Sequence, residues 1–322
     1  MATVTKSIGA AGDYNTIAAW LSDLSNGSVY TSGDTAIGEI IDWTIAGGVT
    51  FPTSGVLPTT VTLQAHSTVK TRGIPGSGCR LLMSSAVEAV KFTNCSYTIN
   101  LSGFEVDYEQ INTLGSNGAI YWGNNSVVNI DSVLVYNPHR SARTGLFRTA
   151  GNAGTSTVTN CIAIRDSYYA GSGAGHSYFM AHNGGSVLLA NCAAVAGGNL
   201  FVTATRGGGF VVNSNTTVRN CVSVDSYGLD FTGTPAAASN NISSDGSAPG
   251  SDSITSVQAE NVFNGAIGGN FTPRPAGVAI GAGIAVAGVS LDAAGNTRPD
   301  PPSIGPMELV SAGGGNIIVI ED

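Results

Sequence analysis

The sequence predicts an all-β chain wound as a right-handed single-stranded parallel β-helix, with a short N-terminal capping helix and an irregular C-terminal cap. Three observations carry that expectation. A phrase built on asparagine recurs at a period of about thirty residues, as stacked-repeat architectures do. Short runs with apolar residues at every second position accompany it, and the composition suits tight stacking of strands.

Of 322 residues, 11% are charged and 44 are glycine, against roughly 25% and 7% in an average soluble domain. Hydrophobic residues make up 42%, which supplies a core and excludes a disordered chain. A coat of Ser, Thr, Asn and Gly lets side chains repeat from coil to coil without like-charge repulsion. A net charge of −8 and a pI near 4.8 exclude nucleic acid as a partner, because phosphate binding needs concentrated Lys and Arg. No apolar stretch is long enough to span a membrane, and the opening MATVTKSIGAAGDY lacks the charged start and apolar run of a secretory signal.

The recurring phrase appears as KFTNCSYTIN, SVVNIDSVLV, TVTNCIAIRD, LLANCAAVAG and TVRNCVSVDS, with a shorter echo in ASNNISSDG. Its asparagines are Asn94, Asn129, Asn160, Asn191, Asn220 and Asn240, separated by 35, 31, 31, 29 and 20 residues. Asparagine tolerates the left-handed backbone of a tight turn, and its amide can bond to the amide of the coil above or below. The residue after it is Cys95, Ile130, Cys161, Cys192 or Cys221, expected to point inward and stack on its neighbour as a small hydrophobe. A disulfide or metal role for this thiol ladder is disfavoured, since Ile130 replaces a thiol without breaking the phrase. Roughly ten to twelve coils are expected, a rod about 50 Å long at the inter-strand spacing.

The ends carry their own signals. Asp13-Tyr14-Asn15-Thr16 offers N-cap oxygens, and Ile17, Trp20, Leu21 and Leu24 recur at helical spacing, predicting an amphipathic helix that plugs the first coil. Gly38 to Ile45 reads as one early strand. Beyond residue 260, Pro and Gly punctuate short extended pieces. The organisation expected is a cap over 1–35, coils over 36–260 and a C-terminal cap and tail over 261–322, in one continuous domain.

The C-terminal residues Asn270-Phe271, Ala279-Ile280-Gly281, Asp292, Gly295, Arg298, Ser303-Ile304-Gly305 and Glu308 resemble the closing phrase of parallel β-helix proteins of the pectate-lyase-like superfamily. Pro306-Met307 departs from that phrase. The opening GDYNTIAAW resembles the start of phage-encoded members. The resemblance covers both ends and, through the asparagine ladder, the middle. It implies the fold, whereas the superfamily's activities range over lyases, glycosidases and inert virion parts.

Candidate sites were sought with that range in mind. Glu105, Asp107 and Glu109 alternate along GFEVDYEQ, so a strand aims all three to one side, where they could hold Ca²⁺; a solvated outer face is the preferred expectation. Asp166 and Asp225 open two copies of the triplet Asp-Ser-Tyr. With Ala196-Gly197-Gly198 between them, they would face each other two rungs apart, near the separation of an inverting glycosidase, although turn formation explains the same residues. Tyr168, Tyr169, Tyr178 and Tyr227 could form a sugar-stacking patch. His66, His139, His176 and His182 show no metal-binding spacing, and His139-Arg140-Ser141-Ala142-Arg143 with Arg148 forms the densest basic cluster. No phosphate-binding loop occurs, and no cofactor is expected.

The function implied is that of a bacteriophage virion structural protein, a decoration or cement protein on the capsid or a tail spike or fibre component. Its partners would be copies of itself, as a homotrimer carried over from the resemblance, other virion proteins such as the major capsid protein, and host surface polysaccharide. Such a chain is made in the bacterial host cytoplasm and ends on the virion surface. The alternative is a polysaccharide-degrading lyase or glycosidase on the same fold; a non-viral surface adhesin would need an export signal.

Overall fold

The computed structural model describes residues 1–83, 88–108, 118–136, 145–151, 154–166, 176–181, 185–197, 207–226 and 228–310. Three parallel sheets run the length of a solenoid, nine, eight and seven strands deep among the described residues. The chain visits them in a fixed cycle. In one turn it passes from Ser156–Thr159 in the nine-stranded first sheet to Ile162–Asp166 in the second, of eight strands, and His176–Met180 in the third, of seven. The next turn repeats this as Val187–Ala190, Ala193–Gly197 and Gly207–Val211, each paired in parallel with its predecessor. Nine strands at about 4.8 Å span roughly 40 Å, shorter than the ten to twelve coils expected, because a large part of the chain lies outside the winding.

Alternation explains the first sheet. In Thr60–Ala65, residues Val61, Leu63 and Ala65 are buried while Thr60, Thr62 and Gln64 are partly exposed, as period-two side chains on a half-covered strand must be. The second sheet differs: Leu134–Tyr136 and Val222–Val224 are buried at every position. Its inward residues, including Val106, Val135, Ala163 and Ala194, join the main core. Its outward residues, including Leu134, Ile162, Val195 and Val222, form a second core with Val262, Phe263, Phe271, Ile304 and Met307. The C-terminal segment thus folds back along the flank of the rod and covers the outer face of the second sheet.

The helix forms at Ile17–Leu24 with Thr16 as N-cap, its Oγ1 accepting from the Ala19 amide, and it buries Ile17, Trp20, Leu21 and Leu24 as expected. Trp20 Nε1 donates to the Tyr30 hydroxyl at 2.7 Å. Gly38 faces this indole closely, and a Cβ there would lie 2.8 Å from Trp20. The strand expected over 38–45 is two: Thr35–Ile40 belongs to the first sheet and Thr44–Ala46 to the second, with a corner between them. The N-terminal stretch also contributes Thr3–Ile8, the outermost rung of the first sheet.

The corner between the first and second sheets carries the ladder. Asn160, Asn191, Asn220 and Asn240 hold φ of 54°, 53°, 52° and 53°. The amide of each bonds to the carbonyl before the next: Asn160 to Ala190, Asn191 to Arg219, Asn220 to Ser239 and Asn240 to Ser251. Two assignments are corrected. Asn129 lies mid-strand in Val127–Asp131, and Ser132, at φ 55°, takes the corner, its amide reaching the Thr159 carbonyl. Ile130 therefore pairs with Leu101 and Val158 and does not stand in the thiol position. Asn94 turns at a different corner, after Val90–Thr93 of the third sheet, where its amide meets the carbonyls of Gly123 and Asn124.

The buried column beside the ladder follows from backbone bonds that run from Glu105 to Cys79, Leu134 to Phe104, Ile162 to Val133, Ala193 to Cys161, Val222 to Cys192 and Ile242 to Cys221. Cys79, Phe104, Val133, Cys161, Cys192 and Cys221 are stacked in that order. Cys95 stands outside the column, at the Asn94 corner, and Cys79 takes a place in it that the phrase did not mark. A second stack was not foreseen: Phe147, Phe179, Phe210 and Phe231 lie nearly parallel at centroid separations of 4.8, 4.7 and 4.9 Å. Each such pair contributes about 0.5–1.5 kcal/mol beyond its area.

All five cysteines are free and buried. Burial pushes the Cys79 thiol up to about 12 and raises those of Cys161 and Cys221 well above the ordinary range, and all five thiols, Cys192 included, are walled off from reagents in solvent at 2% exposure or less. Folded protein exposed to iodoacetamide at pH 8 is therefore expected to remain unmodified by mass spectrometry, with five additions appearing on denaturation. Rapid labelling of Cys161 or Cys192 in the native state would contradict the column.

Candidate functional site

Glu105 and Asp107 occupy the strand Glu105–Asp107 of the second sheet and point outward together, as the alternation required. The solvated face expected for them is overturned: both are buried, at 0% and 1% exposure. The loop over residues 71–78 closes over Glu105. Its carboxylate accepts from the Gly76 amide at 2.7 Å, the Gly78 amide at 2.9 Å and Thr71 Oγ1 at 2.9 Å. Desolvation nonetheless raises its pKa. Asp107 faces Arg80 at 3.5 Å, and the buried Tyr136 hydroxyl stands beside these groups, its pKa raised by desolvation and by the neighbouring Glu105 and Asp107. Glu109 lies outside the described residues, and no group of three metal-ligating side chains occurs among the described ones. The geometry is that of carboxylates pinning a loop.

Asp166 ends the strand Ile162–Asp166 and pairs with Gly197 through the backbone; its side chain lies outside what is described. The next register runs Val195 to Val224 and stops. Asp225 then turns away at φ 59°, its amide donating to Ser244 Oγ. Continuing that register would set position 225 beside Ala196, one step from the Gly197 that pairs with Asp166, so the two do not share a column. The Asp225 carboxyl is half-buried, and its pKa is raised by desolvation and by the nearby Asp230 and Glu260. Asp230, which the sequence reading passed over, is fully enclosed. It accepts from Ser223 Oγ at 3.0 Å, from the Ser244 hydroxyl at 2.6 Å and from the Ser244 and Asp245 amides. Its burial was invisible in sequence because Ser244 and Asp245, which supply three of its donors, come from the following coil.

Of the tyrosine patch, Tyr178 is buried at 2% exposure, which removes it as a stacking platform; Tyr168, Tyr169 and Tyr227 lie outside the described residues, as do His139, Arg140, Arg143 and His182. His66 bonds to Thr68 locally. Arg148 lies over the Tyr121 ring at 5.9 Å.

The residues of the C-terminal phrase do converge. Asp292, 1% exposed, accepts from the Ala294 and Asn296 amides and the Asn296 side chain, and receives the Glu308 amide at 2.9 Å. Glu308 receives the Ser303 amide and pairs with Arg298 at 2.5 Å, both side chains 4% exposed. Arg298 Nη2 reaches Asn160 Oδ1 at 2.7 Å and the carbonyls of Gly305 and Pro306. This knot ties the flanking segment to the asparagine corner. So do the other corner amides: Asn240 Nδ2 donates to Ala282 O, Asn220 Nδ2 to Ile284 O, and Asn160 Nδ2 to Leu291 O.

The class defined by these features is a parallel β-solenoid whose described acids serve mainly as structural acceptors. No protein-family model matches the sequence, and no curated protein does. Among solved structures, the chain is similar to a pectin methylesterase from Aspergillus niger, at 13% identity and a TM-score of 0.42, over 79% of this chain and 85% of that one.

Removing one member of a buried ion pair costs about 3–5 kcal/mol. Arg298→Met and Glu308→Gln should each lower the urea midpoint accordingly, while Lys6→Ala, at an exposed pair with Asp13, should change it by under about 1 kcal/mol. Equal, small effects at all three positions would contradict the tie.

Proposed function

We propose that the chain is a structural rod of a bacteriophage particle, a decoration or cement protein of the capsid or a spike or fibre component of the tail, assembled with copies of itself. The observation that carries the reading is the outer face of the first sheet. Thr3, Thr35, Thr60 and Thr98 stack in one outward column. Beside it run Thr5, Ile37, Thr62, Asn100, Asn129, Thr157, Leu188 and Thr217. Asn129 Nδ2 donates to Asn100 Oδ1 at 2.9 Å, and Thr157 to Asn129 Oδ1 at 2.8 Å. These are two uncharged columns along a broad sheet, and depletion of charge marks the centre of a protein interface. The enclosed acids support the same reading. The phage setting, the trimer and the capsid partners rest on the resemblance of the two termini.

One observation favours the alternative, a polysaccharide-degrading activity: the half-buried Asp225 carboxyl, whose pKa is raised and which accepts no hydrogen bond among the described residues. Perturbed acids of that kind recur at catalytic sites. Incubation of the full chain with host capsular polysaccharide or lipopolysaccharide should release no new reducing or unsaturated ends, and light scattering should give an oligomer. Turnover that drops a hundredfold or so in Asp225→Asn would replace the structural reading with the enzymatic one.

A further inference from the structure

The outer face of the first sheet begins with a lattice of threonines. Across its first four rungs one outward column runs Thr3, Thr35, Thr60 and Thr98, and the next runs Thr5, Ile37, Thr62 and Asn100, in unbroken register. Rungs of a parallel sheet stand about 4.8 Å apart, and alternate residues of a strand about 6.7 Å apart, so the two columns form a nearly rectangular net. Such a net stays close to planar where successive coils twist little. The phenyl rings stacked in later coils of this rod tilt by only 6°, 5° and 7° from one to the next.

Threonine is a common strand residue, so the net is judged by what accompanies it. Open strands are ordinarily protected by charge, lysine above all, yet neither column carries a charged residue over these rungs. Thr3 and Thr5 are exposed, and Thr35, Ile37, Thr60, Thr62 and Thr98 are partly so. The returning C-terminal segment covers the second sheet and leaves this one open. A β-branched side chain is stiff about χ1, which holds each methyl and hydroxyl at a fixed point of the net. With no charge and no aromatic ring in either column, nothing here selects an anion, a metal or a stacked sugar ring. What the net matches is a repeating surface: its two spacings lie close to the oxygen repeats on a prism face of hexagonal ice.

From this geometry we infer that the first four rungs of the first sheet are an ice-binding face, on which water ordered between the threonine methyls and bonded to their hydroxyls joins the lattice of the crystal. The inference goes beyond the structural reading above. It leaves the rungs from Val127 onward, where Leu188 also points outward, to contacts between copies.

The test grows ice slowly from a solution of the full chain and compares the fraction of protein taken into the ice with that of serum albumin, alongside thermal hysteresis and the shape of single crystals. Uptake above the albumin control and faceted crystals are expected. Thr62→Tyr sets a ring in the middle of the net and should lower uptake about tenfold, with an unchanged circular dichroism spectrum and melting temperature. Thr5→Tyr, on the exposed outermost rung, should act in the same direction, whereas Ala287→Tyr, exposed on the C-terminal segment, should leave uptake unchanged. Uptake no greater than that of albumin, undiminished uptake in both threonine variants, or equal losses in all three variants would overturn the assignment. So would an oligomer that only the threonine variants dissociate, since the net would then be the contact between copies. An oligomer that survives Thr62→Tyr but ignores ice refutes this inference and leaves the structural reading standing; a monomer that binds ice does the reverse.

Discussion

From Gly103 onward, one left-handed residue per coil at the corner between the first and second sheets sets the register of the structure. With φ between 52° and 75° the backbone turns within a single residue, and its amide is aimed along the rod at the carbonyl of the next coil. Residues other than Gly, Asn and Asp adopt that conformation at a cost of about 1–2 kcal/mol, which is why Gly103, Asn160, Asn191, Asn220, Asn240 and Asp252 fill most of these corners, with Ser132 the exception. Because the turn is the same each time, the residue after it lands in one buried column. Beyond Cys221, Asn241 takes that place, its Oδ1 accepting the Cys221 amide and its Nδ2 donating to Val218 O, so the column passes from thiols to satisfied polar groups.

The second sheet depends on the corner in another way. Its outward residues are apolar over most of its length and would leave a greasy flank exposed. The segment beyond residue 256 covers it, yet few ladder bonds hold that segment; its one regular pairing is the short antiparallel contact of Phe263–Gly265 with Asn270–Pro273. Its attachment is instead made by side chains of the corner amides and by the knot of Asp292, Arg298 and Glu308. Burial lowers the pKa of Arg298 while the two carboxylates oppose that shift. Ions enclosed in this way add little net stability compared with apolar packing, but they tolerate few alternative arrangements. Where the second sheet carries acids in place of apolar residues, at Glu105 and Asp107, a different loop closes over it with backbone amides. Met307 packs against Gly73 in that loop, so the two covers meet.

Much of this was legible in the residues. Asn160, Asn191 and Asn220 stand in the expected column, and the capping helix forms on the four apolar residues that marked it. Asn129 misled because coil lengths vary by a few residues, so a slip of three positions kept the spacing plausible while moving the assignment from corner to strand. Asn94 misled because every corner that demands a left-handed residue selects asparagine, whichever sheets it joins. The acids were harder still. Alternation correctly sent Glu105 and Asp107 to one side of their strand, but whether that side met water was decided by a loop some thirty residues earlier.

What the sequence by itself determined is the winding: period-two burial and a left-handed residue at each turn are properties of a few adjacent backbone units, and they act wherever those units lie. Only the tertiary structure decided which corner each asparagine occupies, which carboxylates are enclosed, and where the returning C-terminal segment touches or clears the rod. Those outcomes depend on contacts between segments as many as 138 residues apart, as in the bond from Arg298 to Asn160, and no local pattern encodes the partner at the far end.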